Sequence, residues 1–230
     1  MLASSAFVGL RCLAQERPPT TGEVLTRYGI PLTSESLRAA LRDSRSEVRG
    51  LAAGELAEMK DTSSLPLILH AMEEEKDANA RFNMAASLLA LHSPAGNAML
   101  AVVCNDRSQP DEGRRLDAAS RLVDAADFQC LPSVLDILEA STDSAVESSA
   151  LLVIAHAKPI PSSLAERVHT ACLAALHDRN PAVRGYASRC FVALGDKTAI
   201  RELESALAVE ADEPARKEME RSLQRLGESR

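Results

Sequence analysis

An arginine near the start of a short helical pattern, followed by paired small residues, recurs along this chain at nearly constant spacing. The series is Arg49, Arg81, Arg114, Arg184 and, more faintly, Arg216. Glu147 occupies the matching place between Arg114 and Arg184, and the successive intervals are 32, 33, 33, 37 and 32 residues. A period of this length indicates pairs of helices stacked into an elongated array.

The clearest copy of the pattern is the segment 178–195, DRNPAVRGYASRCFVALG. Asn180 is a good helix N-cap, and Pro181 is tolerated in the first turn because its missing amide has no intrahelical partner. Gly195 can adopt the left-handed conformation that ends a helix. The apolar residues between them share one helical stripe: Val183, Ala187, Cys190, Phe191 and Leu194. The pattern predicts a helix over 181–194.

A second copy lies 135 residues earlier without a gap. Asp43 and Arg49 align with Asp178 and Arg184, and Leu56 stands opposite Phe191. With the intermediate copies, this alignment predicts six helix pairs. We expect the first helices near 34–42, 64–76, 96–105, 130–141, 162–177 and 197–210, and the second helices near 46–60, 78–92, 111–125, 144–157, 181–194 and 213–226.

The organisation outside the pairs follows from local composition. Residues 15–31 are predicted to be a linker and a short capping helix, because Thr20 and Glu23 have capping-box spacing. Residues 32–230 then form the repeat array. Pro159 and Pro161 force an extended connection that lengthens one interval. That connection is interpreted as a surface loop or as a contact loop.

Residues 1–14, MLASSAFVGLRCLA, permit two interpretations. Small residues at Cys12 and Ala14 after an apolar centre are typical of a signal peptide, which implies a periplasmic or secreted protein. The absence of a positive start and the presence of Arg11 instead favour a disordered N-terminus and a cytoplasmic protein.

Charge and composition exclude some functions. The net charge is −7, which argues against a nucleic-acid binder because phosphate contacts need a basic surface. The five cysteines fit no zinc or redox motif, and small buried core residues are the expected role. Cys172 and Cys190 fall on the two helices of one pair, where a disulfide needs an oxidising compartment.

No catalytic residue, cofactor site or metal site is predicted. The chain has no Gly-x-Ser-x-Gly elbow and no phosphate-binding glycine loop. No two histidines share a His-x-x-x-His pair; they are His70, His92, His156, His169 and His177. The acidic run 73–77 is interpreted as a solvated turn or as a docking patch for a basic partner.

The pattern of Asp, then Val-Arg five residues on, then two small residues and a closing Leu resembles the HEAT repeat. The VRGLAA-like helix and the short spacing are especially similar to the HEAT-like repeats of phycobilisome lyases. The resemblance spans roughly residues 32–226 and implies an all-α, right-handed α-solenoid of about six HEAT-like helix pairs. It also implies that the second helices line the concave side.

In such repeats, aspartate and arginine side chains are taken to form a ladder of hydrogen bonds between turns and neighbouring units. The resemblance assigns this structural ladder to Asp43, Arg49, Asp77, Arg81, Arg114, Asp178 and Arg184. Glu147 departs from the pattern by placing an acid where the family has a base, and Asp143 lies nearby. We therefore expect a local weakness in helices 130–157.

The function implied by this fold is a non-catalytic scaffold or adaptor that binds a protein or peptide along the concave face. The alternative, by resemblance to the lyases, is an enzyme or enzyme subunit that handles a tetrapyrrole. Only four Phe, two Tyr and no Trp are present to wall such a pocket. Nucleic-acid binding would require the repeated arginines to lie together on one exposed face.

Overall fold

The computed structural model describes residues 17–108 and 110–228, and the predicted signal segment 1–14 lies outside these ranges. The described ranges contain thirteen α-helices and no β-strand, so the predicted all-α fold is confirmed. The helices are α1 Thr21–Arg27, α2 Ser34–Ala40, α3 Ser46–Glu58, α4 Leu65–Glu74, α5 Ala78–Ala90, α6 Pro94–Asn105, α7 Glu112–Asp124, α8 Leu131–Ala140, α9 Ser144–His156, α10 Ser162–Ala175, α11 Pro181–Leu194, α12 Ile200–Val209 and α13 Glu213–Glu228.

The caps predicted for α1 and α11 are present in the structure. The side chain of Thr20 accepts from the Glu23 amide, and the Glu23 carboxylate accepts from the Thr20 amide, which starts α1. Asn180 caps α11 by accepting from the amide of Ala182. Gly195 ends α11 with a φ of 65°, in the left-handed region that favours glycine.

The pairs stack into two layers. One layer contains the second helices of the pairs, among which α3 packs on α5, α9 on α11, and α11 on α13. The first helices make fewer contacts with one another. Where neighbouring second helices pack on one another, they lie closer together than the corresponding first helices do. We call the solvent-facing side of the second-helix layer the inner face.

The core is a continuous row of apolar side chains between the two layers. Leu56 and Phe191, which the 135-residue alignment places opposite each other, are both fully buried. Helix α1 packs on α3 with Leu25 fully buried, and so covers the first end of the array.

The stacking changes between the second and third pairs, where α6 packs against both α5 and α7. Gly96 of α6 lies against the backbone of α5: a Cβ built there would be 2.3 Å from the Leu89 nitrogen and 2.7 Å from the Ala85 oxygen. Only glycine permits this approach. The sequence periodicity does not predict this irregularity.

Candidate functional site

The repeated arginines connect one unit to the next in a way that Arg49 shows. Its Nε and one terminal nitrogen each donate to the Glu75 carboxylate over 2.7 Å. Its other terminal nitrogen donates to the main-chain oxygens of Asp43 and Ser44, at 2.7 and 3.1 Å. Arg49 therefore fixes both the turn before its own helix and the turn of the following unit.

Arg184 makes the same contacts four units later. It binds the Glu210 carboxylate with two hydrogen bonds of 2.7 and 2.6 Å, and it donates to the main-chain oxygens of Asp178 and Arg179 at 2.8 and 3.0 Å. Arg216 repeats the turn contact, donating to the Glu210 main-chain oxygen at 2.7 Å. Planar, bidentate pairing of this kind is specific to arginine.

The carboxylates that pair with Arg49 and Arg184 belong to glutamates, and not to the aspartates that the resemblance implies. The Asp43 carboxylate accepts from Arg45, and the Asp178 carboxylate accepts from the Asn180 amide. Asp77 caps the start of α5. These aspartates fix their own turns, and they contribute main-chain oxygens or helix caps instead of carboxylates to the ladder.

Glu75 and Glu210 are the carboxylates that join neighbouring units. Each lies 26 residues after its arginine, and each side chain is only 1% exposed. The hydrogen bonds from Arg49 lower the pKa of Glu75, and those from Arg184 lower the pKa of Glu210 to about 2. The interpretation of the acidic run 73–77 as a solvated turn is wrong for Glu75, because its charge is buried in an ion pair.

The third unit uses a different arginine from the predicted one. Asp111 caps α7 through the Arg114 amide, which makes Arg115 the fourth residue of the helix, as Arg49 is in α3. Arg115 is buried and donates to the Cys104 main-chain oxygen at 3.1 Å. Arg114 is one position too early, and its side chain instead hydrogen-bonds Asn79 of α5.

The arginines therefore do not form a shared basic surface. Arg49 and Arg184 are occupied by buried carboxylates. Arg81 is exposed and forms no ion pair with any residue in the described ranges, and Arg114 contacts α5. The arrangement lacks the exposed row of arginines that nucleic-acid binding would require.

The fourth unit reverses the charge of the ladder. Glu147 is the fourth residue of α9 and lines, with Asp178, a cavity of about 400 Å³ between neighbouring units. Burial raises the pKa of Glu147, and the nearby Asp178 raises it further, while Arg179 opposes the shift. An acid therefore faces an acid where Arg49 and Arg184 each meet a glutamate.

A second series of polar contacts joins first helices to the turn of the next unit. Arg38 binds Asp61 at 2.6 Å, Asn97 donates to Asp127 at 3.1 Å, and His169 lies 2.6 Å from Asp196. His169 is thus occupied by a structural contact. No group of His, Cys, Asp and Glu side chains within residues 17–108 and 110–228 is arranged to hold a metal ion.

The cysteines pair differently from the expected combination. Cys104 at the end of α6 and Cys130 before α8 form a disulfide, whereas Cys172 and Cys190 are buried free thiols. Burial raises the pKa of the Cys172 thiol well above its ordinary value. The disulfide joins consecutive first helices, a pairing that depends on how the units stack.

The inner face carries side chains that the fold leaves at the surface. Its last-turn row takes one equivalent residue from each second helix: Glu58, Ala90, Asp124, His156, Ala193 and Arg225. The charged members of this row are the acids Glu58 and Asp124 in the first half of the array and the bases His156 and Arg225 in the second half. No helix of the described chain combines the length and apolar character needed to cross a membrane.

Four basic side chains from three units surround a cavity of about 500 Å³ at the second half of this face; they are His156, Lys158, Arg189 and Arg225. We call this cavity the basic pocket. Arg189 lies over the ring of Tyr186, with 5.8 Å between the guanidinium carbon and the ring centroid. A terminal nitrogen of Arg189 is 3.4 Å from His156 Nε2.

The comparisons agree with the helical repeat architecture. A family model for HEAT repeats matches residues 34–123. A crystal structure of an engineered protein is similar over 84% of this chain and 96% of its own, with 19% identity and a TM-score of 0.55. A second engineered protein is similar over 90% of this chain and 60% of its own, with 18% identity and a TM-score of 0.53.

Human deoxyhypusine hydroxylase, solved with glycerol, shares 15% identity over 91% of this chain and 80% of its own, with a TM-score of 0.44. A search of curated proteins finds no match. The specific similarity to phycobilisome lyases stays a prediction. The chain folds as an α-solenoid of helix pairs, and its residues 34–123 are similar to HEAT repeats.

Proposed function

We propose that this protein is a non-catalytic scaffold that binds a protein or peptide along its inner face. The observation that carries the proposal is that some charged residues join the units, whereas others face solvent along the inner face. Arg49 and Arg184 form ion pairs that join units, whereas the charged members of the last-turn row are exposed and change from acidic to basic along the array. This row offers a partner a charge-patterned surface that extends over several units.

Capture of the tagged, full-length protein from its native cells tests this proposal. The inner-face variant combines Glu58→Lys in the last-turn row with Arg221→Glu, one turn before Arg225 in α13. The control is Glu166→Lys combined with Arg201→Glu on the first helices. All four positions are exposed, and both variants exchange one acid and one base. We expect a stoichiometric protein partner with the wild type and the control, and its loss from the inner-face variant.

Mass spectrometry of the captured material identifies a bound protein, and visible absorbance detects a bound chromophore. A bound chromophore, or turnover of a small molecule, would overturn the scaffold and support the lyase-like alternative. Equal recovery of the partner by both variants would move the binding surface away from the inner face.

A further inference from the structure

We propose that the basic pocket binds a carboxylate of an acidic peptide segment, whose neighbouring apolar side chain rests on Tyr186. This inference rests on the proposed scaffold function and names the chemistry of its partner. The pocket and the surface around Tyr186 share Arg189 as a common wall. Together they present two kinds of contact to one short ligand.

The positive charges of Lys158 and Arg189 in the basic pocket are available to a ligand. Lys158 is exposed and forms no ion pair within the described part of the chain. Arg189 contacts an imidazole and an aromatic ring, but it meets no carboxylate among the described residues. Asp124 lines the same cavity without an ion pair to any described base. Lys158 and Arg189 thus outnumber Asp124 in a protein whose net charge is −7.

Helix-end electrostatics explain only part of this arrangement. His156 ends α9, and a base at a helix C-terminus is favourable there. Arg189 instead lies in the middle of α11, where the helix dipole offers it nothing. Its planar guanidinium, held over Tyr186, presents the fork that binds carboxylate oxygens in pairs.

The surface next to the pocket has an apolar floor around Tyr186 and a charged rim that includes Asp212, Lys217 and Glu218. Tyr186 is half-buried and lines, with Pro181, Gly185 and Pro214, a cavity of about 630 Å³ between α11 and α13. Gly185 allows the close approach of these helices, since a Cβ there would be 3.4 Å from the Ala215 Cα. Tyr186 and Arg189 are three residues apart on one helix, so they are neighbours about one turn apart.

This geometry favours a peptide over a nucleic acid. A phosphate backbone needs a basic track that extends along its length. The row that leads away from the pocket instead meets Asp124 and then Glu58. An acidic side chain with an apolar side chain within two residues matches both surfaces, because an extended chain advances about 3.3 Å per residue.

Selection from a random dodecapeptide library displayed on phage, against the immobilised full-length protein, tests the inference. Counter-selection uses Lys158→Gln combined with Arg189→Gln. We expect enriched sequences in which Asp or Glu lies within two residues of a large apolar residue. Synthetic, labelled copies of these sequences should bind the double variant at least about tenfold more weakly. They should bind a control with Arg201→Gln in α12 and Lys197→Gln in the turn before α12 as tightly as they bind the wild type.

The contrary results separate the two proposals. Selected peptides that lack acidic residues, or that bind the double variant as tightly as the wild type, would overturn the basic pocket while leaving the scaffold function standing. A 12-nucleotide single strand that displaces the peptides at lower concentration than they bind would assign the pocket to nucleic acid. If no peptide is enriched and the tagged wild-type protein captures no protein partner from its cells, both proposals are overturned.

Discussion

Arg184 and Glu210, 26 residues apart in the sequence, form a bidentate ion pair that fastens the last helix pair to the one before it. The Glu210 carboxylate is almost completely withdrawn from water, since its side chain is 1% exposed. A buried charge that loses its partner is strongly destabilising. The pair therefore makes the stability of α12 and α13 depend on one arginine in α11.

Arg184→Met should reduce the free energy of unfolding of the last unit by about 3 kcal/mol, because it leaves the Glu210 charge buried and unpaired. Hydrogen exchange should show faster opening of α12 and α13 than in the wild type. The matched control is Arg201→Met on the exposed side of α12, which should change stability by less than about 0.5 kcal/mol. Equal protection of α13 in both variants would contradict the role given to Arg184.

Acid should weaken the same junction within a defined pH window. The pKa of Glu210 is lowered to about 2 by Arg184, below the ordinary glutamate value of about 4.3. The stability that this carboxylate contributes is therefore complete above about pH 4.3 and is lost as the pH falls toward 2. Urea unfolding followed by circular dichroism should show this loss in the wild type, and a much smaller loss in Glu210→Gln.

Glu147→Arg should stabilise the fourth and fifth units by about 1 kcal/mol, because it replaces an acid that faces Asp178 with the base found in other units. Glu147→Gln removes the repulsion between Glu147 and Asp178 without adding an ion pair. It therefore measures how much of the gain comes from relief of the repulsion alone. Hydrogen exchange in α9 and α11 provides the measurement. A variant that opens faster than the wild type would show that Glu147 has a favourable partner of its own.

The pH dependence at Glu147 should have the opposite sign to that at Glu210. Burial and Asp178 raise the pKa of Glu147 above its ordinary value. Protonation is therefore favoured by folding, and the associated stability is present at low pH and lost as the pH rises through the raised pKa. As the pH rises through that pKa, the hydrogen-exchange protection of α9 in the wild type should decline relative to that in Glu147→Gln. A difference that grows with pH in favour of the wild type would contradict the assignment.

Removal of the disulfide should destabilise the middle of the array. Cys104 and Cys130 close a loop with a sequence separation of 26, for which chain entropy gives about 3 kcal/mol. In a Cys12→Ser background, the protein unfolded in urea without reductant should react with iodoacetamide at the free thiols Cys172 and Cys190, and not at Cys104 or Cys130. Labelling of Cys104 without reductant would disprove the bond, and Cys104→Ala measures its contribution.

The sequence predicted the helix pairs well because local signals and repeat period agree. Thr20, Asn180 and Gly195 each act within a few residues of the helix that they begin or end. Arg49 and Arg184 were found for a similar reason, since they occupy the same position in two aligned helices.

The contacts of those arginines were harder to predict, because they join residues far apart in the sequence. Glu75 and Glu210 also differ by 135 positions, so extending the alignment past the turn would have paired them. Arg115 was missed because the repeat spacing alone selects Arg114. The N-cap at Asp111 sets the start of α7, and this start places Arg115 at the position that Arg49 has in α3. The disulfide between Cys104 and Cys130 follows from the altered stacking of α6, which no local pattern records.

The most direct test of the scaffold account is photo-crosslinking in the native cells. A benzophenone amino acid replaces Tyr186 on the inner face in one full-length protein and exposed Glu204 of α12 in another. We expect a discrete crosslinked protein partner from position 186 and none from position 204. The same partner crosslinked from position 204 alone, or no protein from either position, would contradict the claim that the inner face is the binding surface.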